Sequence, residues 1–208
     1  IKNPLMAGFP NHSIRKWEEI ILKHDYTIVK IEQDCHGSAN PKRNITEILS
    51  PGINLNTDNF TNCMMSLVFE EFKDCKSNLP ILQLGLSITD VTTGHIWVYE
   101  THSNINDYSF CLDEAFRFIQ SFNPMEIIIH LFNTTLSKNE ILNYLEIGNY
   151  NIHFNLYLDN TELLTNHNKN FMLSKVYPET GMLSPIEYIN MERLHFALNS
   201  LIYLLQFT

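Results

Sequence analysis

A strict alternation of apolar with polar or small residues over positions 82–89 is the feature that most constrains the fold. The apolar positions are Leu82, Leu84, Leu86 and Ile88. Because successive side chains of a β-strand point to opposite faces, a period of two predicts a half-buried strand. Turn-forming residues follow at 90–94 (DVTTG), and β-rich segments lie at 63–72 and 95–101. Three strands joined in this way predict an antiparallel meander.

Downstream of the meander the pattern changes to alternating helices and strands. A helix ending before Asn123 is predicted from the helical spacing of Phe110, Ala115, Phe116 and Ile119. The continuous apolar run 127–131 predicts a strand covered on both faces. Ser137 and Glu140 form a capping-box pattern for a helix that Gly148 is expected to terminate. A fifth strand is predicted from the alternation of Ile152, Phe154, Leu156 and Leu158.

A closing helix is predicted after a second capping-box pattern at Ser184 and Glu187, with Pro185 at the first helical position. Its apolar stripe comprises Leu194, Ala197, Leu198, Leu201, Ile202 and Leu205. The predicted order β-β-β-α-β-α-β-α matches a ribonuclease-H-like fold, in which a mixed five-stranded sheet carries helices on both faces.

The first 52 residues have a separate pattern. A helix is predicted to start at residues 11–13 (NHS) and to end near His24, followed by strands at 26–31 and 44–49. The polar stretch 54–59 is the candidate boundary between two parts. We therefore divide the chain into residues 1–52 and residues 53–208.

The charge balance argues against a self-sufficient nucleic-acid binder. Lys and Arg total 14 against 23 Asp and Glu, which gives a formal net charge of −9. Phosphate neutralisation usually supplies much of the affinity for nucleic acids, so any DNA contact is expected to be local.

The four cysteines, at positions 35, 63, 75 and 111, contain no C-x-x-C pair. Free thiols in a reducing intracellular compartment are expected, without a disulfide framework or a metal site. The adjacent Cys35 and His36 are poorly placed to ligate one metal ion. No apolar run approaches the roughly 18 residues of a membrane span. The chain opens on Ile1, so we expect a piece of a longer protein.

Three segments follow one another along the chain in the order in which a known family has them. They are residues 4–12 (PLMAGFPNH), 28–33 (IVKIEQ) and 43–52 (RNITEILSPG). They resemble the P-M-A-G-I/V-P-x-H segment, the strand ending in C-E-Q, and the R-E-V-T/V-x-I/V-V/L-T/S-P-G-T segment of the MutS mismatch-binding domain. DVTTG resembles the D-x-S-T-G turn of the MutS connector domain. SPIEY at 184–188 is most similar to the organellar and giant-virus branch of the family.

The resemblance implies an α/β chain: the C-terminal part of a small mixed α/β mismatch-binding domain, then a ribonuclease-H-like connector domain ending in the helix to the lever. It implies a segment of a mismatch-repair ATPase that recognises mispaired duplex DNA. This segment would supply secondary DNA contacts, relay ATP-driven conformational change and dock a MutL homologue. Contacts within a MutS homodimer or heterodimer would lie outside it.

In the family, the Phe-x-Glu that reads the mismatch precedes the P-M-A-G segment, so we expect its equivalent upstream of Ile1. The Gly-rich loop that binds ATP does not occur in these 208 residues. We therefore expect no cofactor and no catalytic site in this segment, with ATP and Mg bound elsewhere in the parent protein.

Four candidate DNA-binding residues follow from the resemblance. Met6 is placed near the distorted base step, where an apolar side chain can wedge, with packing between helix and strand as the alternative. Lys42 and Arg43 are candidates for phosphate contacts through charge-assisted hydrogen bonds, with solvation alone as the more frequent state of isolated basic side chains. His12 donates to a phosphate or caps the helix that it precedes, and capping or local hydrogen bonding is favoured.

Two alternatives remain at this point. A ribonuclease-H-like sheet also supports two-metal nucleases, which need several converging carboxylates. The strand interiors at 64–68 and 129–132 contain no acid, and Glu70, Glu71 and Asp90 fall at a strand end or in a turn. The other alternative is a non-enzymatic protein-interaction scaffold. The sequence does not distinguish among nucleus, mitochondrion and viral factory or virion.

Overall fold

The computed structural model describes residues 8–24, 26–33, 42–52, 62–75, 77–156 and 161–208. The chain divides into two compact units, Ile1–Phe60 and Thr61–Thr208, and each contains its own β-sheet. The candidate residue Met6, the Cys35-His36 pair and the predicted boundary at 54–59 lie outside the described residues.

Unit 1 contains a helix and a β-hairpin. The 3-10 turn Asn11–Ser13 leads into α1 (Ile14–Leu22), and strands β1 (Ile28–Gln33) and β2 (Arg43–Leu49) pair antiparallel. The pairing contains a bulge between Lys30 and Ile31. The predicted helix and both strands are confirmed, with ends displaced by a residue or two, where boundaries are least well determined by sequence.

Unit 2 is built on a mixed five-stranded sheet. Its strands and the helices between them are β3 (Cys63–Lys73), β4 (Pro80–Asp90), β5 (Ile96–His102), α2 (Phe110–Phe122), β6 (Glu126–Phe132), α3 (Lys138–Tyr144) and β7 (Asn151–Phe154). The strand order is β5-β4-β3-β6-β7. The first three strands form the predicted antiparallel meander, and β6 and β7 are added parallel to β3. The mixed five-stranded sheet is therefore confirmed.

The C-terminal part of unit 2 is more broken than the sequence predicts. It comprises a 3-10 turn at Thr161–Leu164, α4 (Asn166–Val176), α5 (Pro185–Tyr188) and α6 (His195–Phe207). The Ser184 capping box is confirmed, but the single closing helix predicted from it is wrong. Asn190 adopts a left-handed conformation (φ 58°), which keeps α5 from continuing into α6.

Alternation along the central strands divides the core between the two faces of the sheet. Met65, Leu67 and Phe69 of β3 pack on the side that carries α2 and α3. Val68 faces the opposite side, where it packs with α6. Helices therefore cover both faces, as a central strand that is apolar on both sides requires.

Two other local predictions are wrong. Gly148 does not terminate α3: the C-cap is Leu145, and Glu146 takes the left-handed conformation with φ 54°. The fifth strand stops at Phe154 because Asn155 is left-handed, with φ 52°. The backbone N–H of Asn155 donates to the Ile129 carbonyl at 2.8 Å, which anchors the chain as it leaves the sheet. Leu158 lies outside the described residues.

Across the described ranges, none of the helices combines the length and apolar character that a membrane span requires.

Candidate functional site

The predicted phosphate-contacting pair lies at the start of the second strand of the unit 1 hairpin. Arg43 opens β2 opposite Gln33, the last residue of β1, and Lys42 immediately precedes it. Both side chains are exposed. Within the described residues, neither forms an ion pair, so both charges face solvent. Exposed cations at the end of a strand are suited to backbone phosphates, which are approached from outside the protein.

Lys30 on the same hairpin has a different environment. Its Nζ lies 2.8 Å from a Glu18 carboxylate oxygen of α1 and 2.6 Å from one of Glu47 on β2. Hydrogen bonds to Glu18 and Glu47 raise the pKa of Lys30. The ammonium therefore joins the helix to the hairpin, and its charge is already balanced. Sequence reasoning missed this role because Glu18, Lys30 and Glu47 are far apart along the chain.

His12 is exposed in the 3-10 turn before α1. The capping role favoured for it is wrong, because the N-cap position of α1 belongs to Ser13. The Ser13 hydroxyl donates to the Pro10 carbonyl at 2.8 Å and closes the turn instead. In the described part of unit 1, no recorded contact joins His12 to Lys42 or Arg43, so its phosphate role stays a prediction.

An aromatic pair borders the segment that contains Met6. The ring of Phe9 stacks on that of Trp17 in α1, with centroids 5.8 Å apart. Both residues remain more than 40% exposed, Phe9 at 46% and Trp17 at 41%. Sequence reasoning missed this pair, although an aromatic residue on α1 close in sequence to Phe9 was a usable signal. The pair fixes Phe9 against α1.

The carboxylates of unit 2 are spread over separate positions. Asp90, at the end of β4, accepts hydrogen bonds from the Thr92 N–H (2.9 Å) and the Thr93 hydroxyl (2.8 Å). Burial acts to raise the Asp90 pKa, but the hydrogen bonds from Thr93, Thr92 and Asn62 outweigh burial, and the pKa is lowered. Asp90 therefore holds the β4–β5 turn as a carboxylate.

Glu70 and Glu71, at the end of β3, are likewise engaged in hydrogen bonds. Glu70 accepts one from the Asn133 amide at 3.1 Å. Glu71 accepts from the Tyr108 hydroxyl at 2.9 Å and from both the N–H and the hydroxyl of Thr135, at 3.2 and 2.9 Å. The bonds from Asn133 and Thr135 fasten the loop after β6 to the end of β3, and the bond from Tyr108 fastens the segment before α2 to the same end.

Sequence reasoning missed a fully buried acid in the sheet. Glu126 is the first residue of β6 and is fully buried, with its Oε2 3.5 Å from the His153 Nε2 on β7. Glu126 lies outside the two strand interiors, 64–68 and 129–132, in which the sequence shows no acid. Glu126 pairs with Met64 and faces α6, whereas Asp90 pairs with Cys63 and faces α2. The two carboxylates thus lie on opposite faces of the sheet.

No group of three or more His, Cys, Asp or Glu side chains in the described ranges is arranged to hold a metal ion. Cys63, Cys75 and Cys111 are free thiols, as predicted for these three positions. Burial raises the pKa of Cys111 to about 12, which keeps this thiol protonated.

Comparison with known proteins connects unit 1 to a family. Residues 2–58 match MutS domain I, and this stretch nearly coincides with unit 1. A putative DNA mismatch repair protein, MutS homolog L359 of Acanthamoeba polyphaga mimivirus, is 30% identical over 98% of this chain and 20% of its own length. The chain belongs to the MutS family.

Bacterial MutS proteins also align with this MutS-family chain. DNA mismatch repair protein MutS of Flavobacterium johnsoniae is 27% identical over 60% of the chain and 13% of that protein. The protein of the same name from Christiangramia forsetii is 22% identical over 86% of the chain and 20% of that protein. The chain thus spans about a fifth or less of the length of the curated relatives it matches.

Among solved structures, Marinitoga piezophila Argonaute in complex with 5′ OH guide RNA aligns with 44% of this MutS-family chain and 16% of its own. The TM-score is 0.29 and the sequence identity 15%. A similarity this low carries no argument about the fold.

Proposed function

We propose that this chain is the part of a MutS-type mismatch-repair ATPase that supplies secondary DNA contacts and connects them to the lever. The observation that carries the proposal is the pair Lys42 and Arg43, which is exposed and unpaired among the described residues and lies inside the region matching MutS domain I. Lys30 on the same hairpin is neutralised by two carboxylates. The hairpin therefore presents the positive charges of Lys42 and Arg43 to solvent at the start of β2.

In this proposal the DNA contact is narrow. Lys42 and Arg43 hold phosphates by charge-assisted hydrogen bonds, His12 contributes a further donor, and Met6 packs at the distorted base step. A net charge of −9 on the whole chain limits binding by any broader surface. The segment then adjusts the position of DNA that other parts of the parent protein hold.

Unit 2 serves as the connector. The strand order β5-β4-β3-β6-β7, with a meander extended by two parallel strands and covered by helices on both faces, supports a ribonuclease-H-like connector domain. In the parent protein, ATP and Mg would bind outside this segment, and their effect would reach unit 2 as a shift between two arrangements of domains. A MutL homologue would dock on one of them, and other parts of the parent would form the MutS dimer.

We assign no catalytic step to this segment. A two-metal nuclease needs carboxylates that converge on one place. Asp90 and Glu126 face opposite sides of the sheet, and Glu70 and Glu71 are committed to Asn133, Tyr108 and Thr135. These placements support a mechanical role. The compartment that we propose for the parent protein, intracellular and reducing, rests on the free thiols and not on the carboxylates.

A DNA-binding titration tests the proposal. The chain alone should bind duplex DNA weakly, with equal affinity for matched and mismatched duplexes. Changing Lys42→Ala together with Arg43→Ala should weaken binding to both duplexes and reduce the slope of log K against log salt by about two, one for each lost phosphate contact. Fluorescence anisotropy at several salt concentrations measures both quantities.

The matched control removes the same charges elsewhere. Lys23→Ala with Arg193→Ala also deletes one Lys and one Arg, and both side chains are exposed. This variant should retain the original salt slope. A mismatch preference in the chain alone, or an unchanged slope in the Lys42 and Arg43 variant, would overturn the proposed DNA contact. For the docking role, a MutL homologue that fails to bind the ATP-bound parent protein would count against it.

A further inference from the structure

An open groove runs along unit 2 between α2 and α3. It encloses about 500 Å³ and is lined mostly by apolar surface from Leu112, Leu136, Glu140, Asn143 and Tyr144. The volume is within the range of sites that bind small ligands or single anchoring side chains. We call this feature the α2–α3 groove.

Hydrogen bonds fix both walls of the α2–α3 groove. The Tyr144 hydroxyl on α3 donates to the Asp113 carboxylate on α2 at 2.7 Å, which ties the two helices together across the groove. The loop that carries Leu136 is held by the bonds from Thr135 to Glu71. Because these walls are already ordered, an occupant would lose little free energy to rearranging the protein.

The rim of the groove is negatively charged. Glu140 lines it, and the hydrogen bond to Asp113 together with the negative charges of Asp113 and Asp107 raises the pKa of Tyr144. None of the five lining residues is basic. Lys138, at the start of α3, places its Nζ 5.1 Å from the centre of the Phe154 ring, and Phe154 does not line the groove. An apolar floor inside an acidic rim repels phosphates and attracts cationic groups.

We propose that the α2–α3 groove docks a protein segment in which a bulky apolar side chain is flanked by Lys or Arg. The apolar side chain would lie between Leu112, Leu136 and Tyr144, and its basic neighbours would face Asp113 and Glu140. This inference goes beyond the proposed MutL docking, because it names the surface and the chemistry of the segment that binds there. It depends on unit 2 alone.

The experiment uses the whole chain, labelled with ¹⁵N, and three synthetic peptides. The first carries leucines flanked by lysines, the second the same leucines flanked by glutamates, and the third the lysines with serines in place of the leucines. Only the first peptide should bind, with its largest amide shifts at Leu112, Leu136 and Tyr144. Largest shifts elsewhere, or equal binding of the glutamate peptide, would overturn the proposal.

A charge variant tests the role of the rim. Asp113→Asn keeps an oxygen that can accept from Tyr144, and Glu140→Gln keeps the capping box, because Gln serves in that motif as Glu does. The double variant should bind the lysine peptide roughly tenfold more weakly. The control, Glu179→Gln with Glu192→Gln, removes the same charge from two exposed positions outside the groove and should bind normally.

Two further outcomes decide against the proposal. Equal weakening in both double variants would mean that net charge, and not the groove, attracts the peptide. Concentration-dependent shifts of the groove amides without any peptide would mean that a second copy of the chain occupies it. Because no MutL homologue enters these titrations, failure here leaves the docking role in the parent protein to its own test.

Discussion

Glu100 on β5 accepts a 2.8 Å hydrogen bond from the backbone N–H of Phe196, 96 positions later in the chain, at the start of α6. The same Oε2 accepts from the Ala197 N–H at 3.0 Å. The N-cap residue of α6, Leu194, offers no side-chain hydrogen bond to the free N–H groups of the first turn. A carboxylate from the edge strand therefore caps this helix, where the helix dipole also favours a negative charge.

Replacing Glu100 with Ala should lower the free energy of unfolding by about 0.5–2 kcal/mol, the range of a lost helix cap. Glu100→Gln retains an acceptor oxygen without the charge and should lose less. Urea unfolding followed by circular dichroism measures both variants. If the two variants lose equal stability, the carboxylate charge contributes nothing to capping α6.

Gly85→Ala should destabilise unit 2 by about 1–3 kcal/mol, the usual cost of overpacking. A Cβ at Gly85 would lie 2.1 Å from the backbone carbon and oxygen of Phe196, and 2.7 Å from the Ala197 nitrogen. These are backbone atoms of α6, so the helix as a whole would have to move. Gly148→Ala is the matched control, since a Cβ there meets no atom within 4 Å. Thermal unfolding should separate the two variants, and equal melting temperatures would contradict the close approach of α6 to β4.

The buried serines between the sheet and α6 should act as one unit. The Ser200 hydroxyl donates to the Ser66 carbonyl at 2.7 Å, which leaves Ser87 to donate its own proton to Ser200 at 2.9 Å. Ser200→Ala strands the Ser87 hydroxyl in a buried site and should cost about 1–3 kcal/mol.

Ser87→Ala in the same chain should recover part of that loss, because it removes the stranded group. A double-mutant cycle of urea unfolding curves gives the coupling energy between the two positions. Strictly additive losses would mean that the two hydroxyls are independent.

The strands of unit 2 were predictable because their periodicity is local. Apolar residues alternate with polar or small ones from Leu82 to Ile88, and the run at 127–131 is apolar throughout. Each of these strands can therefore be predicted from a few consecutive residues. By contrast, β7 ends before Asn155 and α5 ends before Asn190, earlier than the sequence predicts, because both asparagines adopt left-handed conformations. Asn adopts this conformation more readily than most residues, yet which Asn does so depends on contacts that are distant in sequence.

The helix α4 could not be predicted from the sequence, for a different reason. Its apolar residues are not gathered on one face, and its main local signal is Thr165, whose hydroxyl accepts from the Asn168 N–H at 3.4 Å. Packing of Leu173 into the α6-side core stabilises it, which is a tertiary effect. The candidate DNA residues came from family resemblance, whereas the ion pairs of Lys30 and the Glu100 cap required the folded chain.

His130 should make the protein less stable as the pH falls from about 6.5 toward 4. Burial lowers the pKa of its imidazole to about 4, although the hydrogen bond to the Leu156 carbonyl opposes the shift. The ring is fully buried, with its centroid 3.7 Å from that of Tyr203, and its Nδ1 has no hydrogen-bond partner in the described structure. Protonation would place an uncompensated charge there.

The sign follows from linkage. Above about pH 6.5 the imidazole is mostly neutral in both the folded and the unfolded chain, so His130 does not lower the free energy of unfolding. Below that pH the unfolded chain binds a proton that the folded chain does not bind, so the free energy of unfolding falls. The expected loss from His130 is about 2 kcal/mol between pH 7 and pH 5. His130→Phe keeps an aromatic ring against Tyr203 but cannot titrate, so its stability should fall less over the same interval. Urea unfolding at both pH values gives the difference between the two chains, and an identical pH dependence would show that His130 is not the group responsible.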